Sequence, residues 1–295
     1  MIHVCLTHDI DRVDKTYQYV TRPLRALKNG KILLFFHYIW SALTIRHPYW
    51  GFDRMMEIES KYRVRSTCFF LNESLKFNLT KPKTWKLALG RYDIHDKRIV
   101  KIIKELEDGG WEIGVHGSYN SYINYDLLKH EKDVLESIVG HEVVGIRQHY
   151  LNFVEKTFEI QAKAGFKYDS TWGLTRGIGF KENKIIPFFP IAGSDYCEIP
   201  MTIMDAPFAK TPNKWEAFGR IVNEIDRNNA YLVINYHNNN FSDSDCLGYD
   251  KDYIQMIEIL ISHGATFMTM NEAYNHYSSL CNRNSRYGHH SQNRL

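Results

Sequence analysis

The sequence predicts an α/β fold in which parallel strands form one sheet, open or closed into a barrel, within a single domain. Short apolar runs alternate with amphipathic helical patterns along most of the 295-residue chain, and this alternation is typical of parallel sheets. Hydrophobic residues make up 44% of the chain and aromatic residues 14%, which is sufficient for a large core. No repeat of fixed period and no Pro/Gly/Ser-rich linker divides the sequence.

The individual elements follow from hydrophobic periodicity and from stop signals. The first run, HVCLTHD (3–9), is typical of a buried strand. DKRIVKIIKELEDGG (96–110) has apolar residues at helical spacing and ends in Gly-Gly, so it predicts a helix that leads into a strand at 111–117. Further strands are predicted at 63–72, 142–150, 167–173, 196–205, 230–239 and 265–270. Further helices are predicted at 49–62, 125–140, 154–166, 214–229, 251–264 and 271–280.

Two segments lie outside this alternation. Residues 12–48 form a long insertion after the first strand, and their apolar stretch 31–45 is too short to span a bilayer. It predicts a buried or surface-docked helix, with peripheral membrane contact as the alternative. Residues 279–295 are polar and predict a flexible C-terminal tail, which leaves residues 1–278 as the folded domain.

Charge and cysteine content exclude several classes of protein. A net charge of +3 is small for this length and does not indicate a nucleic-acid partner. The five cysteines are scattered and include no C-x-x-C pair, which argues against a disulfide framework and against a thiolate metal site. No secretory signal and no transmembrane segment are visible, so the sequence predicts a cytoplasmic protein.

Polar side chains recur where the predicted strands end. Ligands of parallel α/β folds bind at the C-terminal ends of strands, so these groups are expected to converge. The strand-end residues are Asp9, Asp11, His116, Ser118, Tyr119, Asn120, Arg147, His149, Tyr150, Asp169, Trp172, Asp205 and His237.

Each residue also has an ordinary structural interpretation. Asp11 is compatible with a helix N-cap, and His116 with a hydrogen-bonded buried histidine. Arg147 is compatible with a structural ion pair, and Asp169 with turn chemistry. Because so many such groups fall at one end of one sheet, we favour a functional site.

The ordered motifs LTHDID, EIGVHGSYNS, GIRQHY, YDST and LVINYHN resemble those of polysaccharide deacetylases of the NodB-homology type, carbohydrate esterase family 4. The resemblance extends from Leu6 to about Tyr274, and it is closest to a divergent branch associated with surface-polysaccharide biosynthesis. It implies a distorted NodB-like (β/α) barrel and a metal-dependent de-N-acetylase.

The resemblance also implies roles for individual residues. Asp9 corresponds to the catalytic base and His237 to the catalytic acid. Arg147 and Tyr150 correspond to the ends of the third motif, in which Arg147 would orient Asp9 and the Tyr150 N–H would help stabilise an oxyanion. Asp169 is expected to contact Arg147 or Asp9 and so to help hold them in position, without touching the substrate. Substrate contacts are expected from neighbouring residues, namely Ser118, Tyr119 and Trp172.

The implied metal site departs from the family pattern at one position. Asp11 and His116 match an acid and a histidine ligand, but the spacing places Asn120 where the second histidine is expected. His149 is the alternative third ligand, and its imidazole suits zinc better than an amide oxygen does. We therefore expect a divalent metal, Zn²⁺ first, with Mn²⁺, Co²⁺ or Mg²⁺ as alternatives, unless metal binding has been lost.

The expected substrate is an N-acetylated saccharide, in the form of an oligosaccharide precursor, a nucleotide sugar or a lipid-linked glycan. The basic stretch RPLRALKNGK (22–31) and its apolar neighbour indicate contact with a phosphate-bearing or lipid-linked substrate. Two alternatives remain open: a catalytically degenerate saccharide-binding relative, and a hydrolase of another non-peptide C–N bond, such as a cyclic amide or a formamide.

Overall fold

The computed structural model describes residues 2–288, in which nine strands form one sheet. The strands are β1 (His3–Ile10), β2 (Thr67–Leu71), β3 (Glu112–Gly117), β4 (Gly145–Gln148), β5 (Tyr168–Asp169), β6 (Cys197–Glu198), β7 (Ile203–Met204), β8 (Tyr231–Asn235) and β9 (Thr266–Phe267). The helices are α1 (Gln18–Lys28), α2 (Ile32–Thr44), α3 (Phe52–Tyr62), α4 (Pro82–Ala88), α5 (Lys97–Asp108), α6 (Tyr125–Val139), α7 (Lys156–Lys163), α8 (Asp205–Lys210), α9 (Lys214–Asn228), α10 (Tyr249–Ser262) and α11 (Met270–Gly288).

The strand order is β6-β5-β4-β3-β2-β1-β8-β7, and β9 pairs with the first residues of β1. Every ladder between these strands is parallel. Apolar side chains cover both faces of the sheet: Leu6 and Ile10 belong to the core shared with the helices, whereas Cys5 and Phe69 belong to a second, inner cluster. The predicted fold class, a distorted (β/α) barrel of parallel strands in a single domain, is confirmed.

Strand β1 has the central position that a site at the sheet edge requires. It pairs with β2 on one side and with β8 on the other, so its last residues lie between two neighbouring strand ends. Because side chains alternate along a strand, Asp9 and Asp11 point to the same side, with Ile10 directed into the helix-side core. The two-residue spacing of the acids therefore places both carboxylates in one site.

The structure also differs from the predicted elements. The predicted strand 196–205 divides into β6 and β7, and Asp205 begins α8. The insertion 12–48 contains two helices, α1 and α2, which pack against each other. Helix α11 continues through 279–288, the first part of the predicted tail; 289–295 lie outside the described residues. None of the helices in the described chain has the length and apolar character needed to cross a membrane.

Candidate active site

Asp9, near the end of β1, is held by two partners from other strands. Its Oδ1 accepts a hydrogen bond from Arg147 Nη1 at 3.0 Å, and its Oδ2 accepts one from Asn235 Nδ2 at 2.7 Å. Burial alone would raise the pKa of Asp9, but the charges of Arg147 and of the protonated His237 outweigh burial and lower this pKa. Asp9 is therefore an ionised and firmly oriented carboxylate.

Arg147, on β4, is fully buried and uses all of its guanidinium nitrogens. Its Nε donates to the Ser170 carbonyl at 2.9 Å and its Nη2 to Ser170 Oγ at 3.0 Å. In addition to Asp9, its Nη1 reaches Thr7 Oγ1 at 2.8 Å. The guanidinium also lies 4.6 Å from the centroid of the Phe69 ring. This network fixes the position of the cation and, through it, of the Asp9 carboxylate.

Asp11, His116 and His149 bring three potential ligand atoms together. Asp11 Oδ1 lies 3.4 Å from His116 Nε2 and 3.0 Å from His149 Nδ1, and the two nitrogens are 3.1 Å apart. His116 Nδ1 contacts the carbonyl oxygen of Arg147 at 2.9 Å. Because a carbonyl only accepts, this contact places the proton on Nδ1 and leaves the Nε2 lone pair facing the group.

His149 is neutral at pH 7, but its present tautomer does not expose a lone pair to Asp11. Burial lowers the pKa of His149 to about 4. Arg91 Nη2 lies 2.7 Å from His149 Nε2 and can only donate, so the imidazole proton is on Nδ1. For His149 to bind a metal ion through Nδ1, the proton on Nδ1 must leave. Arg91 Nη2 must also move away from Nε2, and Arg91 would then keep its hydrogen bonds to backbone carbonyls, one of which is Asp11 O at 2.8 Å.

The donor set fits a divalent metal ion. The three ligand atoms lie within 4.8 Å of one another, and a catalytic zinc site typically has three such protein ligands. Asp11 Oδ1 is buried and has no hydrogen bond of good geometry in the described chain, which is unfavourable unless a cation compensates for it. Burial would raise the pKa of Asp11, but His149, whose Nδ1–H lies beside Oδ1, and the charge of Arg91 hold it well below its ordinary value.

His237, which follows β8, is a cation oriented by Asp205. Asp205 Oδ2 accepts hydrogen bonds from the His237 backbone N–H at 2.7 Å and from Nδ1 at 2.9 Å, and Asn240 Nδ2 donates to the same oxygen. Burial would lower the pKa of His237, but Asp205 together with Asp11 and Asp9 raises it to about 10. Its Nε2 lies 3.9 Å from Asp11 Oδ2.

Five of the side chains described above line one cavity of about 220 Å³, namely Asp9, Asp11, His116, His149 and His237. Its remaining wall is formed by four side chains, Tyr150, Leu151, Thr175 and Met204. Tyr150 and Leu151 both have left-handed backbone, with φ of 59° and 53°, a conformation that costs free energy for residues other than glycine. The strained turn after β4 therefore presents Tyr150, which is 52% exposed, and Leu151 to the cavity.

Asn120 does not occupy the position that its motif spacing predicts. It is exposed and precedes a short 3₁₀ turn, Ser121–Ile123. His149, from the end of β4, lies beside Asp11 and His116 instead. The structure thus brings the alternative third ligand to the group and leaves Asn120 in solvent.

The three predicted substrate-contact residues have different environments. Ser118 is fully buried, and its backbone N–H donates to Glu131 at 3.1 Å. Trp172 packs within a cluster of phenylalanines, and its indole N–H donates to a backbone carbonyl. The exposed ring of Tyr119 meets Tyr150 edge to face at 5.9 Å between centroids. Tyr119 therefore lies next to the cavity, whereas the other two pack against neighbouring side chains.

Asp169 contacts a second carboxyl group rather than the site residues. It lies opposite Glu198 in the β5–β6 ladder, and both side chains are fully buried. Burial raises the pKa of Asp169 to about 6, and burial together with the facing carboxyl raises that of Glu198. Such a pair is most stable when it shares a proton. At this strand end Arg147 donates hydrogen bonds to Ser170 and not to Asp169. The predicted role of Asp169 in supporting the site therefore has no hydrogen bond to Arg147 behind it.

Sequence reasoning missed the roles of three residues. Asn235 is a polar residue within an apolar strand, which is a usable signal. Asp205 was recognised as a strand-end acid, but its pairing with His237 depends on two distant strands. Arg91 lies in the segment between α4 and α5, where no periodic pattern marks it.

Comparison with protein-family models and with curated proteins finds no match for this chain, but solved structures do match. A protein from Mycobacterium smegmatis assigned as a polysaccharide deacetylase matches with a TM-score of 0.59 and 18% identity, over 93% of this chain and 89% of its own. Puue allantoinase matches with a TM-score of 0.58 and 13% identity, over 94% and 90%. A protein from Pseudomonas aeruginosa PAO1, also assigned as a polysaccharide deacetylase, matches with a TM-score of 0.56 and 13% identity, over 94% of this chain and 90% of its own.

At sequence identities of 13–18%, the structural similarity to these proteins establishes the fold of the chain and not its activity. The chain has the NodB-like fold that is shared by proteins assigned as polysaccharide deacetylases and by an allantoinase. The resemblance predicted from the sequence motifs is thereby confirmed at the level of the fold.

Proposed function

We propose that the protein is a metal-dependent hydrolase that removes the acetyl group from an N-acetylated saccharide. The observation that carries this proposal is the composition of one cavity. Asp9, held ionised by Arg147, and His237, held protonated by Asp205, line the same cavity as the three potential metal ligands. An amide hydrolase requires this combination of a base, an acid and a polarising cation.

Asp11, His116 and His149 would hold the metal ion. The two imidazoles favour Zn²⁺, with Mn²⁺, Co²⁺ and Mg²⁺ as alternatives. When bound, such an ion supplies Lewis acidity toward the amide carbonyl and activates water near neutral pH. The neutral state of His149 suits this role, because only a deprotonated nitrogen can ligate.

Asp9 would accept the proton of the attacking water. Its two oxygens are engaged with Arg147 and Asn235, so the carboxylate cannot rotate away from the cavity. The low pKa of Asp9 ensures that the base is ionised at neutral pH. The same low pKa weakens its basicity, so the water must be activated by other means as well.

His237 would protonate the departing amine. Its Nδ1–H is fixed on Asp205, which leaves the Nε2–H for the substrate. As the C–N bond breaks, the nitrogen takes this proton, and the products are acetate and a free amino sugar. Leu151 and Met204 provide an apolar wall that suits the acetyl methyl group.

Two other functions are separated from this proposal by experiment. A saccharide-binding protein without activity would need neither an ionised base nor a protonated acid. A hydrolase of a cyclic amide would use the same groups on another substrate. The cytoplasmic location stays a prediction from the sequence.

The test is acetate release from a panel of N-acetylated amino sugars by the purified full chain supplied with Zn²⁺. Ring opening of a cyclic amide, allantoin, is measured in parallel. Acetate release that the Asp9→Asn variant lacks would support the proposal. Zinc-loaded protein that releases no acetate but opens the cyclic amide would overturn it in favour of the second hydrolase, and inactivity on both would favour the binding protein.

A further inference from the structure

A second cavity, of about 260 Å³, adjoins the first one. Asp11 lines both cavities, so the second one opens beside the potential metal ligands. Its walls come from the residue after Asp11, from α1 and the residue before it, from α4, and from Tyr49 and Asn239. Four of the lining residues are cations, namely Arg12, Arg22, Arg25 and Lys86.

The positive charge of this cavity is only partly neutralised. Asp11 is the one acid that lines it. Asp245, behind the wall, pairs with Arg22 at 3.3 Å, but it already forms an ion pair with Lys15 at 2.7 Å. Within the described chain, the other three cations of the wall form no salt bridge. The Nε of Arg12 is buried and has no hydrogen-bond partner there.

We propose that this cavity binds a phosphate group of the substrate. Arginine and lysine donors around a partly enclosed space fit phosphate oxygens, and Arg12, one of the lining residues, has an Nε without a partner in the described chain. The inference rests on the proposed function and narrows its substrate class. Because the two cavities share Asp11, the phosphate would be covalently joined to the same N-acetylated sugar that undergoes hydrolysis.

Metal-free protein tests the site without any catalysis. Inorganic pyrophosphate is titrated calorimetrically into the full chain after removal of divalent ions, so that no metal can bind the probe. We expect the Arg25→Gln/Lys86→Gln variant to bind pyrophosphate at least about tenfold more weakly than the wild type. The matched control is Lys101→Gln/Lys104→Gln, which removes two exposed cations from α5 and should leave binding unchanged.

Catalytic assays then identify the source of the phosphate. An N-acetyl sugar 1-phosphate, a nucleotide-diphosphate sugar and the unphosphorylated sugar are compared as substrates. A KM that rises for the phosphorylated compounds in the variant, at constant kcat, would support the subsite. Equal pyrophosphate binding by wild type, variant and control would overturn it. Binding that depends on Arg25 and Lys86 without any acetate release would refute the proposed function and leave the anion site standing.

A different observation concerns the outer surface of the α1–α2 hairpin. Its exposed side chains form two apolar stripes at helical spacing, with Leu33 88% exposed, Trp40 68% and Leu43 80%. Ten large apolar side chains are exposed on this hairpin: Tyr19, Val20, Leu24, Leu27, Ile32, Leu33, Phe36, Ile39, Trp40 and Leu43. We call them the apolar face. Large contiguous exposed apolar surfaces mark interaction sites.

The charge of the same segment indicates what contacts the apolar face. Residues 15–52 contain no aspartate and no glutamate. They carry six cations: Arg25, Lys28, Lys31 and Arg46 are exposed, whereas Arg22 is half-buried and Lys15 is buried in its ion pair with Asp245. A surface that is apolar and purely cationic is complementary to an anionic lipid bilayer. Helix α2 has 13 residues and is about 20 Å long, shorter than a bilayer core of about 30 Å, so it would lie in the interface.

We propose that the hairpin docks the protein on an anionic membrane surface. Helix α1 then has two functions: Arg22 and Arg25 line the second cavity, whereas Val20, Leu24 and Leu27 are exposed for lipid contact. The cavity would therefore open close to the lipid headgroups, where a phosphate-bearing substrate anchored in the membrane could reach it.

Vesicle flotation tests the docking. The full chain is mixed with vesicles of phosphatidylcholine alone, or with about one third phosphatidylglycerol. We expect binding to the anionic vesicles and at least about tenfold less binding for Leu33→Glu/Leu43→Glu. The control Ile186→Glu/Leu247→Glu changes two exposed apolar residues outside the hairpin and should bind as the wild type does.

The state of association is measured on the same samples by light scattering. A monomer that floats with anionic vesicles supports the proposal. Failure of the wild type to bind anionic vesicles would overturn it. A dimer that becomes monomeric in Leu33→Glu/Leu43→Glu, without vesicle binding by the wild type, would assign the apolar face to a second copy of the chain.

Discussion

Arg147 Nη1 lies 3.0 Å from Asp9 Oδ1, and this ion pair is almost completely buried, with side-chain exposures of 0% and 4%. The pair joins β4 to β1 across the inside of the sheet. The backbone carbonyl oxygen of Arg147 also accepts a hydrogen bond from His116 Nδ1. One residue thus orients both the proposed base and one proposed metal ligand.

Replacing Arg147 by methionine should destabilise the protein strongly. The substitution leaves the Asp9 carboxylate buried without a neutralising charge, and breaking such a pair typically costs about 3–5 kcal/mol. The measurement is the free energy of unfolding in urea at pH 7. Thr7→Val is the control, because it removes only the hydrogen bonds of a neutral hydroxyl, one accepted from Arg147 and one donated to the Ile234 carbonyl, and should cost only about 1–2 kcal/mol. A loss for Arg147→Met no larger than for Thr7→Val would contradict the importance of the ion pair.

Asp9→Asn should separate catalysis from metal binding. Asp9 is not among the three converging ligand atoms, so zinc content measured by plasma mass spectrometry should equal that of the wild type. Turnover should fall by about 10²- to 10⁴-fold, the usual contribution of a general base. Loss of zinc together with activity would show instead that Asp9 binds the metal.

The third metal ligand can be identified with two alanine variants. His149→Ala should weaken zinc binding by more than about a hundredfold, since even the loss of an outer-shell partner can cost 10- to 100-fold. Asn120→Ala should have no effect, because Asn120 is exposed on the turn after β3. Competition with a chelating dye provides both affinities, and circular dichroism verifies folding. The opposite ranking would restore Asn120 as the ligand.

The contrast between Asn120 and His149 shows what the sequence could predict. Strand-end positions predicted the convergence of Asp9, Asp11 and His116, since parallel strands end at one edge of the sheet. Motif spacing alone predicted Asn120, but the turn after β3 exposes this residue while the end of β4 places His149 beside Asp11 and His116. Which histidine completes the group depends on side-chain geometry across two strands.

The environment of His8, in the first motif, could likewise not be predicted from the sequence. Alternation along β1 directs its ring toward the helices, where Nε2 contacts Glu59 Oε1 at 2.7 Å. Glu59 also accepts from Tyr253 and from the indole of Trp111. These partners lie far apart in the sequence, so no local pattern could reveal that this buried polar network belongs to the helix-side core and not to the site.

Asp205→Asn should move the alkaline limb of the pH–activity profile to lower pH. Asp205 is the main cause that raises the pKa of His237 to about 10, so the acid would lose its proton earlier without it. The charge interaction also stabilises the fold fully below the ordinary histidine pKa, and this contribution is lost as pH rises through about 10. Profiles of kcat against pH test the shift, with the exposed Asp133→Asn as control. An unchanged limb would exclude His237 as the acid.

Glu131, on α6, should destabilise the fold as pH rises. Burial raises its pKa to about 8 from an ordinary 4.5, and one of its oxygens has no hydrogen-bond partner in the described chain. Between these two values the folded protein retains a proton that the unfolded chain has released, so the free energy of unfolding falls with increasing pH.

Glu131→Gln removes this titration and keeps the shape and the acceptor for the Ser118 N–H. We expect the variant to match the wild type near pH 4 and to exceed it by about 4 kcal/mol near pH 8, since the pKa rises from 4.5 to about 8 and each pKa unit corresponds to about 1.4 kcal/mol. Urea unfolding at both pH values measures the difference. The exposed Glu159→Gln is the control and should match the wild type at both. A gain for Glu131→Gln that is equal at the two pH values would show that packing, and not the buried carboxyl, is responsible.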